Sequence, residues 1–452
     1  MNTWRVSTSE GRRAAAVVAL CAGALATGQA TAGGLIVYEV GTADVGLASA
    51  GYNARAQDAS TVFTNPAGMT RLEGNQFLAS GQLLYGSTKF SIGSGTSSEL
   101  GTEAGGNAFG WDGWFAGGGA FFSYSVSPDL KLGFAFAGNF GGVVEYDTNW
   151  VGRYYVQQTK LVGLSFVPAI AYKATDKLSL GASVNIMYGL YKNQVAINIP
   201  DAQRPGNFVP IRRSETDAQL TLEDTTWGAG LNLGLLYEID PRTRLGLTWN
   251  SPVDLNFSAP AEFSSLGQLG TTLQNAGLLN STVNVGITVP QQVMGSVFAQ
   301  VNDRWAVLGS IGWQQWSKFG QVQLGLQNAS NATSLTTNLN YEDTWHFAAG
   351  AQYRLSDPWL LNFGIAYDTG FQSGNVSPLL PTNAAWRFGV GGEHRARKDF
   401  YWGVAAEYLY GGTLDVNLQS AAPVSAGGRG NVVGSYNNTG ILFLGAYGNW
   451  KF

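Results

Sequence analysis

The chain has 452 residues, a formal net charge of −4 and a single cysteine. Hydrophobic residues make up 45% of it and charged residues only 12%, about half the charged share of an ordinary soluble protein. Mild acidity without clusters of Lys or Arg excludes a nucleic-acid-binding protein, and one cysteine cannot form a disulfide within the chain.

Residues 1–32 have the three regions of a secretory signal peptide. A basic region with three arginines comes first, residues 14–27 are apolar, and Ala30 and Ala32 form a small-x-small cleavage site. We expect cleavage after Ala32. Cys21 would be removed with the signal, so the mature chain would have no thiolate for catalysis or for binding a metal.

Residues 33–75 show no strand-like alternation and come before the first predicted strand, which begins near Gln76. Small residues fill positions 46–51, where they permit close backbone packing. In the motif Asn65-Pro66-Ala67, the Asn side chain can cap a turn, and proline keeps the preceding residue out of a helix. We predict that residues 33–75 form a separate plug, and residues 76–452 the main domain.

Six short polar turns divide the rest of the chain. Their centres lie about 40 to 65 residues apart, which suits two membrane-spanning strands of about 10 residues or more, joined by a long loop. Six turns and the two chain ends define seven strand pairs, and therefore fourteen strands. The turns are Ser127-Pro128-Asp129, Thr175-Asp176-Lys177, Asp240-Pro241-Arg242, Asn302-Asp303-Arg304, Ser356-Asp357-Pro358 and Arg397-Lys398-Asp399.

The segments between these turns alternate with the period of two that a strand requires. In the third segment Leu132 and Phe134 fall on the face expected to meet lipid, and Lys131 and Ala135 fall on the other. Glycine is frequent, at 61 residues, and aromatic residues reach 12%, as in barrels with aromatic girdles. A soluble β-sandwich is the alternative, but its strands average only about 5 or 6 residues.

The chain ends in an alternating segment, residues 441–452, whose last residue is Phe452. It resembles the C-terminal recognition signal of outer-membrane barrels. The sequence therefore predicts an all-β fold: a fourteen-stranded antiparallel transmembrane β-barrel in the outer membrane of a Gram-negative bacterium. Side chains alone fill a barrel of about eight strands, so this wider one needs its plug.

Several of these segments together resemble the FadL family of outer-membrane transporters of long-chain fatty acids and hydrocarbons. The resemblance covers residues 33–452 and rests on the plug, with its Asn65-Pro66-Ala67 motif, and on later segments. It implies passive uptake, in which loops capture a hydrophobic ligand, an internal site binds it, and the ligand leaves sideways at an inward kink of the third strand. The later segments are residues 168–173, 313–319, 364–368 and 408–411.

The resemblance places the kink at Gly138-Asn139-Phe140-Gly141-Gly142, where glycines can bend a strand. The alternative is that these glycines only begin an extracellular loop.

Apolar residues in two loops are candidates for ligand capture. Leu266, Leu269 and Leu273 recur at helical spacing after the seventh strand, and we hypothesise that they form part of the capture groove. The alternative is that they pack the loops over the barrel mouth. Aromatic residues also crowd the first loop, namely Phe109, Trp111, Trp114 and Phe115.

Three basic residues are candidate contacts for a ligand carboxylate. Arg387 falls on the lumen face of the twelfth strand, and Lys160 and Arg153 are weaker candidates. Arg387 could equally pair with Asp44 or Asp58 of the plug, or with an acid of the barrel.

Other functions fit the sequence less well. A general hydrophilic porin keeps a water-filled lumen, which a plug contradicts. An outer-membrane hydrolase lacks a nucleophile motif, and His346 and His394 do not have the spacing of metal ligands, so we expect no enzyme and no cofactor. The expected partners are a hydrophobic small molecule and outer-membrane lipid and lipopolysaccharide, with the chain acting as a monomer.

Overall fold

The computed structural model describes residues 35–110, 112–199, 216–267, 269–275, 278–327 and 332–452. The expected signal peptide and Trp111 lie outside the described residues.

Fourteen long strands form one closed antiparallel barrel. Each strand pairs with its neighbours along the chain, and the first pairs with the last from Gln76 opposite Lys451 to Ser87 opposite Gly440. The predicted fold class and strand count are confirmed. The strands are β1 (Gln76–Ser87), β2 (Trp114–Ser125), β3 (Leu130–Glu145), β4 (Gln158–Lys173), β5 (Leu178–Ile197), β6 (Ala218–Asp240), β7 (Thr243–Asn250), β8 (Gln292–Gln300), β9 (Trp305–Gln314), β10 (Thr344–Ser356), β11 (Trp359–Asp368), β12 (Ala385–Arg397), β13 (Phe400–Leu418) and β14 (Val432–Lys451).

All six predicted turns connect neighbouring barrel strands, from β2–β3 to β12–β13. They lie at one end of the barrel, and the long connections lie at the other. The alternation is also observed: Leu132 and Phe134 are both 44% exposed on the outer face, whereas Lys131 and Ala135 are buried inside. Strands therefore present apolar side chains to lipid and small or polar ones to the lumen.

The long connections fold over their end of the barrel. Four strands form a second sheet there, in the order Ala332–Asn338, Gln321–Gln327, Thr282–Val289 and Val253–Pro260. Two short strands pair with barrel strands at this end: Phe90–Ile92 pairs with β14, and Glu262–Ser264 pairs with β6. In the described part of the chain, no helix combines the length and the apolar character needed to cross a membrane. The loop helices are Leu269–Asn275 and Trp316–Phe319, with 3₁₀ turns at Ser98–Leu100 and Val424–Ala426.

Residues 35–75 lie inside the barrel. They contain two short α-helices, Ala43–Leu47 and Thr61–Thr64, and a 3₁₀ helix, Pro66–Arg71. Glycines of the wall let the plug backbone approach closely: a Cβ at Gly364 would lie 2.0 Å from the Leu47 carbonyl. The backbone of the plug packs directly against the wall, because wall residues with small side chains face it.

Candidate functional site

The barrel wall is interrupted between β2 and β3. The two strands pair from Ser125 opposite Lys131 up to Gly119 opposite Ala137. Beyond that point residues 114–118 stay paired with β1, whereas their pairing with β3 has ended. We call this interruption the β2–β3 gap. Residues 114–118 thus leave one backbone edge without a strand partner.

A kink in β3 produces the gap. The register of β3 against β4 shifts between Gly138 and Phe140, as at a bulge. Gly141 has a φ of 116°, and a Cβ there would lie 1.9 Å from the Leu161 carbonyl oxygen, so only glycine fits. The five residues predicted for the kink lie within β3, which continues to Glu145.

The kinked segment exchanges its partner β2 for the plug. The Val37 amide donates to the Asn139 carbonyl at 2.9 Å, and the Gly141 amide donates to the Leu35 carbonyl at 2.6 Å. Ile36 and Phe140 form the bridge between these bonds. The first described residues of the plug thus act as an added strand on the lumen side of β3.

Two apolar cavities lie on either side of this contact. The outer cavity lies under the loop sheet. The inner cavity reaches Phe115, which lies on β2 at the gap. Leu35 borders the outer cavity and Ile36 the inner one, and Gly142 borders both. Residues 35 and 36 therefore form the partition between them.

The two cavities have different linings. Of the described residues around the outer cavity none is charged, and its polar Thr159 accepts a hydrogen bond from Asn193 at 2.9 Å. The remaining lining is Leu35, Gly142, Leu161, Tyr191, Val285, Ile287, Phe319, Val322, Leu324, Leu339, Leu379 and Leu380. The inner cavity is lined by Ile36, Val37, Glu39, Leu84, Phe109, Phe115, Gly141, Gly142, Val143, Arg387, Leu409, Ile441 and Phe443.

Arg387 stands at the inner cavity among three carboxylates. Its Nε donates to Asp368 at 2.6 Å, and its Nη1 donates at 3.0 Å both to Glu39 of the plug and to Glu407 of β13. His346 Nδ1 lies 2.6 Å from the other oxygen of Asp368. The group is buried, so each charge depends on its neighbours. This acidic cluster, Glu39, Asp368 and Glu407 around Arg387, joins the plug to β11, β12 and β13.

A second buried charge group stabilises the plug itself. Arg55 contacts Asp58 at 2.7 Å and Asp44 at 3.4 Å. Burial raises the pKa of Asp44, which the Arg55 charge only partly opposes. Burial also disfavours an ionised Asp58, but the Arg55 charge and hydrogen bonds from Ser60 and Arg55 outweigh it and lower the pKa of that carboxyl. Both acids considered from sequence as plug partners of Arg387 thus contact Arg55.

The motif Asn65-Pro66-Ala67 anchors the plug to β5 and β6 of the barrel wall. Asn65 Oδ1 accepts from the Ala67 amide at 3.1 Å, and Nδ2 donates to the Asn53 carbonyl at 2.8 Å and to the Leu235 carbonyl of β6 at 3.0 Å. Gly181 of β5 provides the necessary space, since a Cβ there would lie 2.2 Å from the Ala67 nitrogen.

The three loop leucines and the two weaker basic candidates lie away from the cavities. Leu266, Leu269 and Leu273 pack in a small cluster of their own beside Phe263, and the helix begins at Leu269. Lys160 is exposed on the outer face of β4, and Arg153 pairs with Asp217 at 2.8 Å in the loops. Of the first-loop aromatic residues, Phe109 and Phe115 line the inner cavity, and Phe115 and Trp114 belong to β2.

The acidic cluster around Arg387 was not predicted from the sequence. Alternation alone could place Asp368 and Glu407 on the lumen face, but their meeting at Arg387 depends on the register of three strands. Within the described ranges, no group of three or more His, Cys, Asp or Glu side chains could hold a metal ion.

Known proteins with similar sequences span nearly the whole chain. The family model described as outer membrane protein transport protein (OMPP1/FadL/TodX) matches residues 23–452. Outer membrane protein P1 of Haemophilus influenzae strain Rd is 27% identical over 86% of this chain and 88% of its own length. The long-chain fatty acid transport protein of Escherichia coli K12 is 25% identical over 87% of this chain and 91% of its own length.

Solved structures share the fold. A FadL homologue of Pseudomonas aeruginosa superposes with a TM-score of 0.78 at 20% identity, covering 92% of this chain and 99% of its own. The toluene transporter TbuX of Ralstonia pickettii has a TM-score of 0.63 at 18% identity, and the match covers 92% of this chain and 100% of the transporter.

Proposed function

Because the chain belongs to the outer membrane transport protein family (OMPP1/FadL/TodX), we propose that its hydrophobic cargo is chiefly long-chain fatty acid, taken up passively across the outer membrane. One observation carries the proposal: two apolar cavities lead, past residues 35 and 36, to the β2–β3 gap. Burial of an alkyl chain in such cavities is favourable by about 0.8 kcal/mol for each CH₂ group, so no energy source is needed for entry.

The route has three steps. The ligand first enters the outer cavity beneath the loop sheet. It then passes the partition at Leu35 and Ile36, which two backbone hydrogen bonds to β3 hold in place. From the inner cavity it leaves past Phe115 through the β2–β3 gap into the membrane. A water-filled porin would need neither the partition nor the plug.

The loop helix with Leu269 and Leu273, together with Leu266 before it, belongs to the capture step in this proposal. Its cluster contacts Phe263, which also packs against the large apolar core around the outer cavity. Replacing all three leucines with serine should reduce uptake at low ligand concentration several-fold, because the groove would lose apolar surface. Uptake at low concentration equal to that of the unmodified protein would remove the helix from the capture step.

Aromatic or aliphatic hydrocarbons are the second candidate cargo. The absence of charge from the described lining of the outer cavity favours them, since a hydrocarbon needs no ionic partner. Structural similarity to a toluene transporter adds fold-level support only.

The deciding experiment measures uptake of labelled oleate and labelled toluene by cells that lack their own transporter, with and without this protein. Oleate uptake that requires the protein supports the fatty acid proposal, and toluene uptake alone moves the cargo to hydrocarbons. High sucrose permeability without either uptake would mean a general porin.

The proposal further includes a monomer surrounded by outer-membrane lipid and lipopolysaccharide, and no catalytic activity. The monomer rests on the route being complete within one chain. Light scattering of the purified protein in detergent should therefore give the mass of one chain.

A further inference from the structure

Among the described residues, neither cavity lining offers an anionic ligand a cation that is not already paired. Around the outer cavity no described residue is charged, and its polar Thr159 and Asn193 already bond to each other. Around the inner cavity the described lining contains two charged residues, Glu39 and Arg387. Arg387 is thus the one cation of that lining, and its partners decide whether it can receive a carboxylate.

Those partners already occupy the guanidinium of Arg387. Its side chain and those of Glu39 and Glu407 are 1% exposed or less, and that of Asp368 is 6% exposed. Three carboxyl groups surround one guanidinium, and one of them, Asp368, also contacts His346. A ligand carboxylate would lose its hydration and then stand beside these acids. A buried charge without a counter-ion is strongly unfavourable.

We propose that the path carries its ligand uncharged, and that Glu39, Asp368 and Glu407 form a filter that excludes carboxylate anions at the inner cavity. This inference rests on the proposed uptake function and narrows its cargo to neutral apolar molecules. Such molecules include a fatty acid in its protonated form, a long-chain alcohol and a hydrocarbon. Arg387 then holds the filter together and does not contact the ligand's head group as an ion partner.

Competition binding tests the filter directly. Purified full-length protein in detergent binds tritiated oleyl alcohol, and unlabelled oleate competes at pH 9, where a carboxylic acid is ionised. Partition of both compounds into empty micelles is subtracted. Oleate should compete at least about tenfold more weakly than unlabelled oleyl alcohol, a difference of about 1.4 kcal/mol. At pH 5 the difference should shrink, because the apolar micelle raises the pKa of oleic acid and a larger share of it is then neutral.

Three variants locate the effect. Asp368→Asn and Glu39→Gln each remove one negative charge at nearly constant shape and should make oleate a several-fold better competitor at pH 9. Glu223→Gln is the matched control, since its side chain is 61% exposed on the outer face, and it should change nothing. Heat-dependent migration on gels reports whether each variant is folded.

Two results would overturn the inference. One is oleate competing at pH 9 as well as the alcohol does, and the other is both filter variants, folded, keeping the unmodified ratio. If the unmodified protein binds neither compound, the proposed uptake function fails together with the filter. Binding of both with equal strength removes the filter and leaves the uptake function in place.

Discussion

At the residue scale, single side chains join the plug to the wall by satisfying buried backbone groups. Arg244 Nε donates to the Ala54 carbonyl at 2.6 Å, and its guanidinium stacks over Phe298 at 3.8 Å. Ser310 Oγ accepts from the Gly51 amide at 2.9 Å. Without these partners the plug would have unsatisfied amides and carbonyls inside a closed barrel, which is unfavourable for each group left unpaired.

Asn65 contributes most to this satisfaction of buried backbone groups, because its fully buried side-chain amide makes three hydrogen bonds to backbone. Asn65→Ala should lower the free energy of unfolding by about 1–3 kcal/mol, measured by urea denaturation of the purified protein. Asn417→Ala, at an exposed position on β13, is the control and should have little effect. Equal stability of the two variants would contradict an anchoring role.

At the scale of elements, β3 is the strand that changes its neighbour. Its first half belongs to the wall, paired with β2 and β4. Its second half keeps β4 but loses β2, and bonds to the plug at residues 139–141 and to residues 108–110 of the first loop at residues 143–145. The backbone groups that β3 no longer pairs with β2 would be costly to leave unsatisfied, and the inward turn allows plug residues to accept and donate these bonds. The opening and the partition therefore arise from one bend.

The bend can be tested with two glycines of the same segment. Gly141→Ala should reduce oleate uptake about tenfold, because a side chain at a φ of 116° would clash with the Leu161 carbonyl and shift the bend. Gly138→Ala should keep near-normal uptake, since its Cβ would meet only Leu164 at 3.5 Å. Equal uptake by both variants would show that the bend does not control transport.

At the scale of the whole molecule, the barrel is wide and the plug keeps it closed. Fourteen strands enclose more space than side chains can fill, and residues 35–75 occupy it with almost no exposed surface. The two cavities are the spaces that the plug leaves. Selectivity for apolar molecules thus depends on the plug as much as on the wall.

Planar-bilayer conductance measures this closure. The full protein should conduct ions weakly, and removal of residues 35–51 should raise the conductance about tenfold or more, because a continuous aqueous lumen would open. Removal of residues 101–104, an exposed part of the first loop, should leave the conductance low. Low conductance after loss of residues 35–51 would mean that the rest of the molecule closes the pore.

Much of this architecture could be predicted from local signals. Short polar turns such as Asp240-Pro241-Arg242 and the alternation around Leu132 are written in neighbouring residues, and they led to the correct strand count. The site could be predicted less completely from the sequence. Arg387 could be assigned to the lumen face by its position in β12, but not to its three acidic partners, and Lys160 was a candidate although the strand turns it outward.

The sequence by itself determined the strands, their inward and outward faces and the segment free to act as a plug, because turn chemistry and a period of two act over a few residues. Only the tertiary structure decided where β3 leaves β2, which residues separate the cavities and which acids surround Arg387. These features join residues far apart in the chain, and the hydrogen-bond register between strands and the seating of the plug bring them together.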